Sequence, residues 1–316
     1  MDNKNPPALT IIGDVGVDVV LGPIARWPAI GTESLMERSE LRAGGSAGNA
    51  ALAAGFLGAP CRLLSLVGND SLGTWLTEQF AGLDASLPAC DRATSLSIGI
   101  IHSCGERTFF TTAGHLPLLS FDTVERSLNL AGMRGGIALI VGGFLTDKLT
   151  ANYGLLFDWL AEHDIDIALD TGWPITGWTA DVIARTHSWL PSCRHLLLNE
   201  GEILALTGKS DVTIAVSELQ RHVPHSAAIV VKQGARGATG FLGSSMVQVP
   251  APRVELVDSI GAGDVFNAGY LAAIAKGETF EDSIAAGVAI ASRAISTHPR
   301  EFGPPVASHQ QAGRGR

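Results

Sequence analysis

The sequence predicts an α/β fold: a three-layer α/β/α sandwich with a mainly parallel central sheet and a small β lid. Three observations lead there. Short apolar runs rich in β-branched residues alternate with longer helical patterns along most of the chain. These runs are apolar throughout rather than at every second residue, as expected of strands buried on both faces of a parallel sheet. Two segments, Glu33 to Arg42 and Ser95 to Thr112, break the rhythm, because no crossover helix separates Ile98–His102 from Thr108–Thr112.

Ala8 to Val15 reads as the first strand. An Ala-rich helix follows over Gly45 to Leu57, then a strand from Arg62 to Val67 and a helix over Ser71 to Phe80. Strand-then-helix units recur at Ala138–Gly142 with Thr150–Glu162, and at Ile165–Asp170 with Thr179–Trp189. His195–Leu198 is the next strand, and a helix begins near Gly201. The tetrad Cys104-Gly105-Glu106-Arg107 reads as a hairpin turn; the antiparallel pieces around it form an accessory sheet or lid, or else extend the main sheet edge. Residues 1–302 are expected to make a single domain, with lid strands inserted from about 16–43 and 94–113. The tail 303–316 contains Pro, Gln and Gly and reads as weakly ordered.

Composition narrows the function. The 316 residues suffice for a sizeable core, and 22 Lys+Arg against 31 Asp+Glu give a net charge of −9. A nucleic-acid reader needs Lys and Arg to neutralise phosphates along a basic stripe; none is present, so nucleic acid is excluded as a partner. The N-terminus lacks the basic-then-apolar layout of a signal peptide. No apolar run approaches the roughly 18 residues of a membrane span. The sequence therefore reads as a soluble cytoplasmic protein with no membrane partner. Its four cysteines show no C-x-x-C spacing and read as ordinary thiols. His222 and His225 lack a third ligand nearby, which argues against a metal site there.

Polar residues fall in a telling place. Gly13-Asp14, Asp170-Thr171, Asn199-Glu200 and Lys232-Gln233-Gly234 each follow an apolar strand directly. In open α/β sheets ligands sit beyond the carboxyl ends of the strands, so these residues converge on one edge.

The sharpest local signal is Asp258-Ser259-Ile260-Gly261-Ala262-Gly263-Asp264, which runs straight into a helical pattern from Val265 to Leu271. A helix N-terminus carries unpaired N–H groups and the positive end of the dipole, which together attract an anion. Gly261 and Gly263 let backbone approach a phosphate without a Cβ in the way. Asp264 in the first turn, aimed at the same spot, suits a general base acting on an alcohol that attacks phosphorus.

This stretch resembles the G-A-G-D signature of the ribokinase-like (PfkB) carbohydrate kinases, and other segments follow in the family's order. Gly44-Gly45-Ser46-Ala47-Gly48-Asn49 resembles the N-terminal Gly-Gly-x-x-x-Asn signature, and Val67-Gly68-Asn69-Asp70-Ser71-Leu72-Gly73 the V-G-x-D-x-x-G segment. Asn199-Glu200-Gly201-Glu202 is similar to the N-x-x-E motif, and Lys232-Gln233-Gly234-Ala235-Arg236-Gly237 to the nucleotide loop. The likeness spans about Ile11 to Ser296.

The resemblance implies an ATP-dependent, Mg2+-requiring kinase that phosphorylates a hydroxymethyl group of a small sugar or sugar acid. Asp264 would be the base, and Gly261, Ala262 and Gly263 the anion hole. Asp14, Asp18, Gly44, Gly45, Asn49 and Arg107 would line the acceptor pocket. Lys232, Gly234 and Gly237 would meet the nucleotide. Asn199 and Glu202 would hold Mg2+ and the phosphates, largely through water, as suits a hard ion with few carboxylate partners. Asp258 would begin a monovalent-cation site for K+, and the family implies a homodimer through the lid strands. The alternatives are a nucleoside kinase of the same fold, with Phe109, Phe110 and Phe144 lining a base pocket, and a catalytically silent nucleotide-binding regulator.

Bland readings stand beside these. Asp18 could be a solvated residue after a strand, Asn49 a satisfied surface amide, and Asp70 a turn or cap residue. Lys232 could simply reach solvent, Arg107 could be a plain hairpin charge, and Trp173 and Trp178 default to core packing. Three departures bear on the substrate and cation. Ser46 replaces the Lys of many sugar-phosphate kinases, which counts against a phosphorylated acceptor. Asp170-Thr171-Gly172-Trp173-Pro174 lacks the Asn and Arg of D-x-N-x-R. Arg293 to Gly303 departs from the family's R-x-G-A ending.

Overall fold

The computed structural model describes residues 9–104, 107–127, 133–298 and 300. Its nine-stranded sheet runs, edge to edge, Ser245–Val249, Ala238–Leu242, Ala228–Lys232, His195–Asn199, Asp166–Leu169, Ile137–Ile140, Leu9–Ile12, Cys61–Leu64 and Asp84–Ser86. All pairings are parallel except the two that join Ala228–Lys232, Ala238–Leu242 and Ser245–Val249. Successive strand residues point to opposite faces, and here both faces are buried. Ile11, Leu139, Leu197 and Val230 enter one core, and their chain neighbours Ile12, Ile140, Leu198 and Val231 enter the other. That is why the strand runs are continuously apolar.

The first core packs against the helices Ser46–Phe56, Ala262–Ala275 and Phe280–Ile295, and the second against Tyr153–Glu162, Ala180–Trp189, Glu200–Thr207 and Val212–Leu219. Leu9–Ile12 lies between Ile137–Ile140 and Cys61–Leu64, so the chain leaves it in both directions along the sheet. This switch of direction opens a crevice at the carboxyl ends. Gly13 lets the chains pass there, since a Cβ on it would lie 2.3 Å from the Val141 carbonyl oxygen.

Four strands form a sheet of their own, in the order Arg38–Gly44, Gly16–Ile24, Leu96–His102, Arg107–Thr111. The expected hairpin is present, with Ile98 opposite Phe110 and Ile100 opposite Thr108. The four strands thus stand apart from the main-sheet edge. Gly105 and Glu106 of its turn, Ala8 and the tail 303–316 lie outside the described residues.

Some elements differ from their expected form. The strand expected over Arg62 to Val67 stops at Leu64, and Val67–Gly68 pairs instead with Ala89–Cys90; the Ser65 hydroxyl between them donates to the Gly13 carbonyl at 2.6 Å. Strand structure in Glu33 to Arg42 begins only at Arg38. The hairpin of Ala238–Leu242 and Ser245–Val249, with Gly243 at its tip, gives no helix–strand rhythm to detect. Among the described residues, no helix is long and apolar enough to cross a membrane.

The last two helices cross closely over small residues. A Cβ on Gly269 would meet Ile290 Cγ2 at 2.5 Å, and one on Gly287 would meet the Phe266 ring at 2.9 Å. Gly269→Ala is expected to cost about 1–3 kcal/mol through overpacking. A urea titration checks this, with a lowered midpoint and an unchanged slope.

Candidate active site

Gly261 opens the helix Ala262–Ala275 in the left-handed region, at φ 72°. No side chain caps this helix end; the Ala262 N–H donates to the Ser259 carbonyl at 3.2 Å, and the next N–H groups of the first turn suit a ligand. Asp264 lies in that first turn, and the Asn49 amide donates to its carboxylate at 3.0 Å. Asn49 comes from the helix Ser46–Phe56 and is buried, so it is not a surface amide. Burial, with Asp170 and Asp14 nearby, pushes the Asp264 carboxyl well above its ordinary value; Lys232 and Asn49 work the other way.

Gly261, Ala262, Gly263 and Asp264 border a cavity of about 850 Å³ at the carboxyl edge of the sheet. Asp170, Asn199, Glu202, Lys232, Gly234 and Gly237 line the same cavity, so the strand-end residues do converge. Lys232 does not reach solvent. Its ammonium donates to Asp170 at 2.5 Å and to Asn267 at 3.2 Å, and a Cβ on Gly263 would lie 3.3 Å from it. Burial opposes its charge, but Asp170 and Glu202 prevail and its pKa is raised.

Asn199 and Glu202 form a reciprocal capping box on the helix Glu200–Thr207. The Glu202 N–H donates to the Asn199 side chain at 2.9 Å, and the Asn199 N–H donates to the Glu202 carboxylate at 2.8 Å. The N-x-x-E spacing is thus also a helix-start signal. Burial and the neighbouring Asp170 push Glu202 up to about 7. Gly234 and Gly237 shape the following loop, where a Cβ on Gly237 would lie 2.0 Å from the Val249 carbonyl oxygen.

The lid closes the other end. Asp18 on Gly16–Ile24 is buried, and its carboxylate fills the space a Cβ on Gly44 would take, 2.2 Å away. It is not a solvated strand-end residue. Burial pushes Asp18 up to about 6, despite Arg42, whose Nε is 4.0 Å away. Arg107, on the hairpin, donates to the Ser259 hydroxyl at 2.6 Å, so it ties the lid to the segment before the helix Ala262–Ala275.

Asp14, expected among the acceptor-binding residues, holds a helix start. Both its carboxylate oxygens accept the Ser46 N–H at 3.0 Å, and its carbonyl accepts from Ala47 and Gly48. It caps the helix Ser46–Phe56 from outside, while Gly45 at φ 79° turns the chain into that helix. Trp173 departs from the expected core packing: it is 58% exposed in the loop after Asp170, and only Trp178 packs against the second core. Asp70 caps the helix Ser71–Gln79 through Gly73 N–H at 2.8 Å and also accepts from Thr94.

Sequence reasoning missed three contributors. Asn267 lies one helical turn beyond Asp264 and donates to Asp170 at 2.6 Å; an amide inside an apolar helix was the available signal. Arg42 and Arg300 both reach Asp258, at 2.6 and 3.4 Å. The apolar cavity wall of Val288, Ala291 and Ile295 comes from the helix Phe280–Ile295, where core-facing and cavity-facing residues look alike in sequence.

The pattern described as pfkB family carbohydrate kinase matches residues 16–303. The chain belongs to that family. It is a kinase of the sugar and nucleoside group. The uncharacterized sugar kinase YegV of Escherichia coli (strain K12) is 26% identical over 309 residues, which cover 94% of this chain and 91% of that protein. Two solved structures share the fold of this kinase. Adenosine kinase from Sinorhizobium meliloti superposes with a TM-score of 0.78 at 21% identity, covering 95% of this chain and 97% of its own. Arabidopsis thaliana ribokinase complexed with ribose and ATP gives 0.74 at 22% identity, covering 93% and 94%.

A carboxyl whose pKa is raised by folding binds its proton more tightly in the folded state, so it lowers stability as pH rises through the folded value. Asp18→Asn is therefore expected to melt a few degrees above the wild-type kinase at about pH 8. The gain shrinks below about 6 and vanishes near the unfolded carboxyl value. Thermal melts across that range read it directly.

Proposed function

We propose that this kinase transfers the γ-phosphoryl group of ATP to a hydroxymethyl group of a small sugar or sugar acid, with Asp264 as general base. The observation that carries the proposal is the placement of Asp264. Asn49 pins its carboxylate in the first turn of an uncapped helix, beside N–H groups that suit a transferring phosphoryl.

Asp264 would take the proton of the acceptor hydroxyl as its oxygen bonds to phosphorus, while the bond to the departing ADP oxygen breaks. The first-turn N–H of Gly263, with Lys232 beside it, would take up the charge on the phosphoryl oxygens. The apolar wall of Val288, Ala291 and Ile295 suits the adenine ring, and the likeness to a ribokinase complexed with ATP supports that nucleotide. Asn199 and Glu202 fit Mg2+ held mainly through water: Glu202 faces the cavity with its charge disfavoured by burial and Asp170, a strain that a divalent cation relieves. When bound, the ion neutralises phosphate charge. The lid over Asp18 would keep water from competing with the acceptor.

Aromatic placement favours a sugar over a nucleoside. Phe144 packs on Trp178 and Trp189, and Phe110 turns to Trp27, which leaves Phe109 beside Gly99 on the face toward Ile260. Arg42 lies beside Asp18, and its Nε and Nη2 have no hydrogen-bond partner among the described residues, which favours an acceptor bearing a carboxylate.

A coupled ADP-release assay with Mg-ATP against sugars, sugar acids and nucleosides tests the reading; silence across the panel would overturn it. With the acceptor found, Asp264→Asn is expected to lower kcat by about 10²–10⁴ while ATP still binds by calorimetry. The base must be deprotonated to act, so kcat/KM should fall on the acid side of a pKa above the ordinary carboxylate range. Asn49→Ala removes a donor to the charged form. The acid limb of its pH profile should therefore move upward, and an unmoved limb would place the base elsewhere.

A further inference from the structure

The monovalent-cation site implied by the resemblance would begin at Asp258, and the described residues around that carboxylate do not fit it. Asp258 is buried, and its Oδ2 accepts from Arg42 Nη1 at 2.6 Å and from Arg300 Nη2 at 3.4 Å, with Arg38 Nη2 at 3.9 Å. Its Oδ1 accepts the Ile260 N–H at 2.9 Å. Burial would raise this carboxyl, but Arg42, the Ile260 N–H and Arg300 hold it below its ordinary value. A monovalent ion needs uncommitted oxygen donors, and beside these guanidinium groups it would meet like-charge repulsion.

We infer that the guanidinium of Arg300 is the built-in cation of the anion-hole loop, and that this kinase works without a monovalent cation. The same Nη2 that meets Asp258 also donates to the Ile260 carbonyl. The neighbouring Nη1 would lie 3.2 Å from a Cβ on Gly261. One planar group therefore braces the carboxylate, the carbonyl and the glycine that start the helix Ala262–Ala275. A fork of fixed N–H directions can hold several oxygens at once. Burial, with Arg42 adding to it, lowers the Arg300 pKa to about 10, so the group stays charged at neutral pH.

Arg300 acts here as a positioning residue. By fixing the Ile260 carbonyl it sets where the Gly261–Gly263 backbone presents its N–H groups, and a small displacement of such donors is costly. Arg42 differs in origin: it comes from the lid strand Arg38–Gly44, so it adds charge to Asp258 only with the lid in place. The inference rests on the proposed phosphoryl site, because only there does the loop need a fixed positive charge.

The experiment compares the wild-type kinase in KCl and in tetramethylammonium chloride at equal ionic strength. It reads ADP release and, independently of turnover, binding of thallium(I) as a K+ surrogate. Equal turnover in the two salts and no thallium binding are expected. Arg300→Ala should lose on the order of 10-fold or more in kcat in tetramethylammonium. K+ or millimolar guanidinium should restore part of it, and Arg300→Lys should retain part. Saturable K+ activation of the wild type, or thallium binding displaced by K+, overturns the inference. So does an alanine variant that keeps full turnover, or one that neither cation rescues. If the wild type releases no ADP with any acceptor, the phosphotransfer reading fails, and thallium binding still decides whether a cation sits at Asp258.

Discussion

Asp14, Asp18, Glu202 and Asp264 gather around the carboxyl edge of the sheet, near Asp170, where burial and neighbouring carboxylates disfavour their charges. Asp14, Asp18, Glu202 and Asp264 all have raised pKa values, with burial the largest cause in each. The edge is tolerable because donors are distributed among them. Lys232 is shared by Asp170 and Asn267, the Asn49 amide faces Asp264, and the Ser46 N–H faces Asp14. Negative charge held in this way is poised rather than relaxed. A carboxylate kept partly desolvated gains more from taking a proton than one in water.

Several residues of the motifs serve the fold first. Asn199 and Glu202 start one helix as a capping box, Asp70 caps another, and Asp14 caps a third from outside. Helix starts gather at this edge because each parallel strand must turn there into its crossover. A residue that satisfies an orphan N–H is thereby held at the rim of the ligand crevice, with its remaining lone pairs facing inward. The fold and the site use the same atoms, so local helix chemistry and ligand binding cannot be separated by spacing alone.

Polar ties join the lid to Asp258 and Ser259, beside the apolar packing of Val17, Ala43 and Leu96 against the first core. Arg42 and Arg38 reach Asp258, and Arg107 reaches Ser259, all from lid strands to the segment before the helix Ala262–Ala275. The lid and the start of the helix Ala262–Ala275 are thus linked through one short loop. Polar ties of this kind are more readily exchanged with water than a packed core, which suits a lid that admits a small molecule.

Periodicity along the chain made the sheet and its flanking helices legible, since residues buried on both faces read as apolar runs and one-sided helices as a repeating stripe. The G-A-G-D segment was legible for the same local reason: two glycines, a helix start and a first-turn carboxylate are neighbours in sequence. The edge hairpin was not, because short strands joined by a Gly-Ser turn leave no long period. The long-range pairs were not legible either. Asn49 with Asp264 is separated by 215 positions, Lys232 with Asp170 by 62, and Arg300 with Asp258 by 42. The sequence by itself determined most of the parallel strands and their helices, and which carboxylate heads the helix Ala262–Ala275. Tertiary structure alone decided which cation meets which carboxylate, because Coulomb and hydrogen-bond energies depend on distances of a few ångströms that only the folded sheet edge creates.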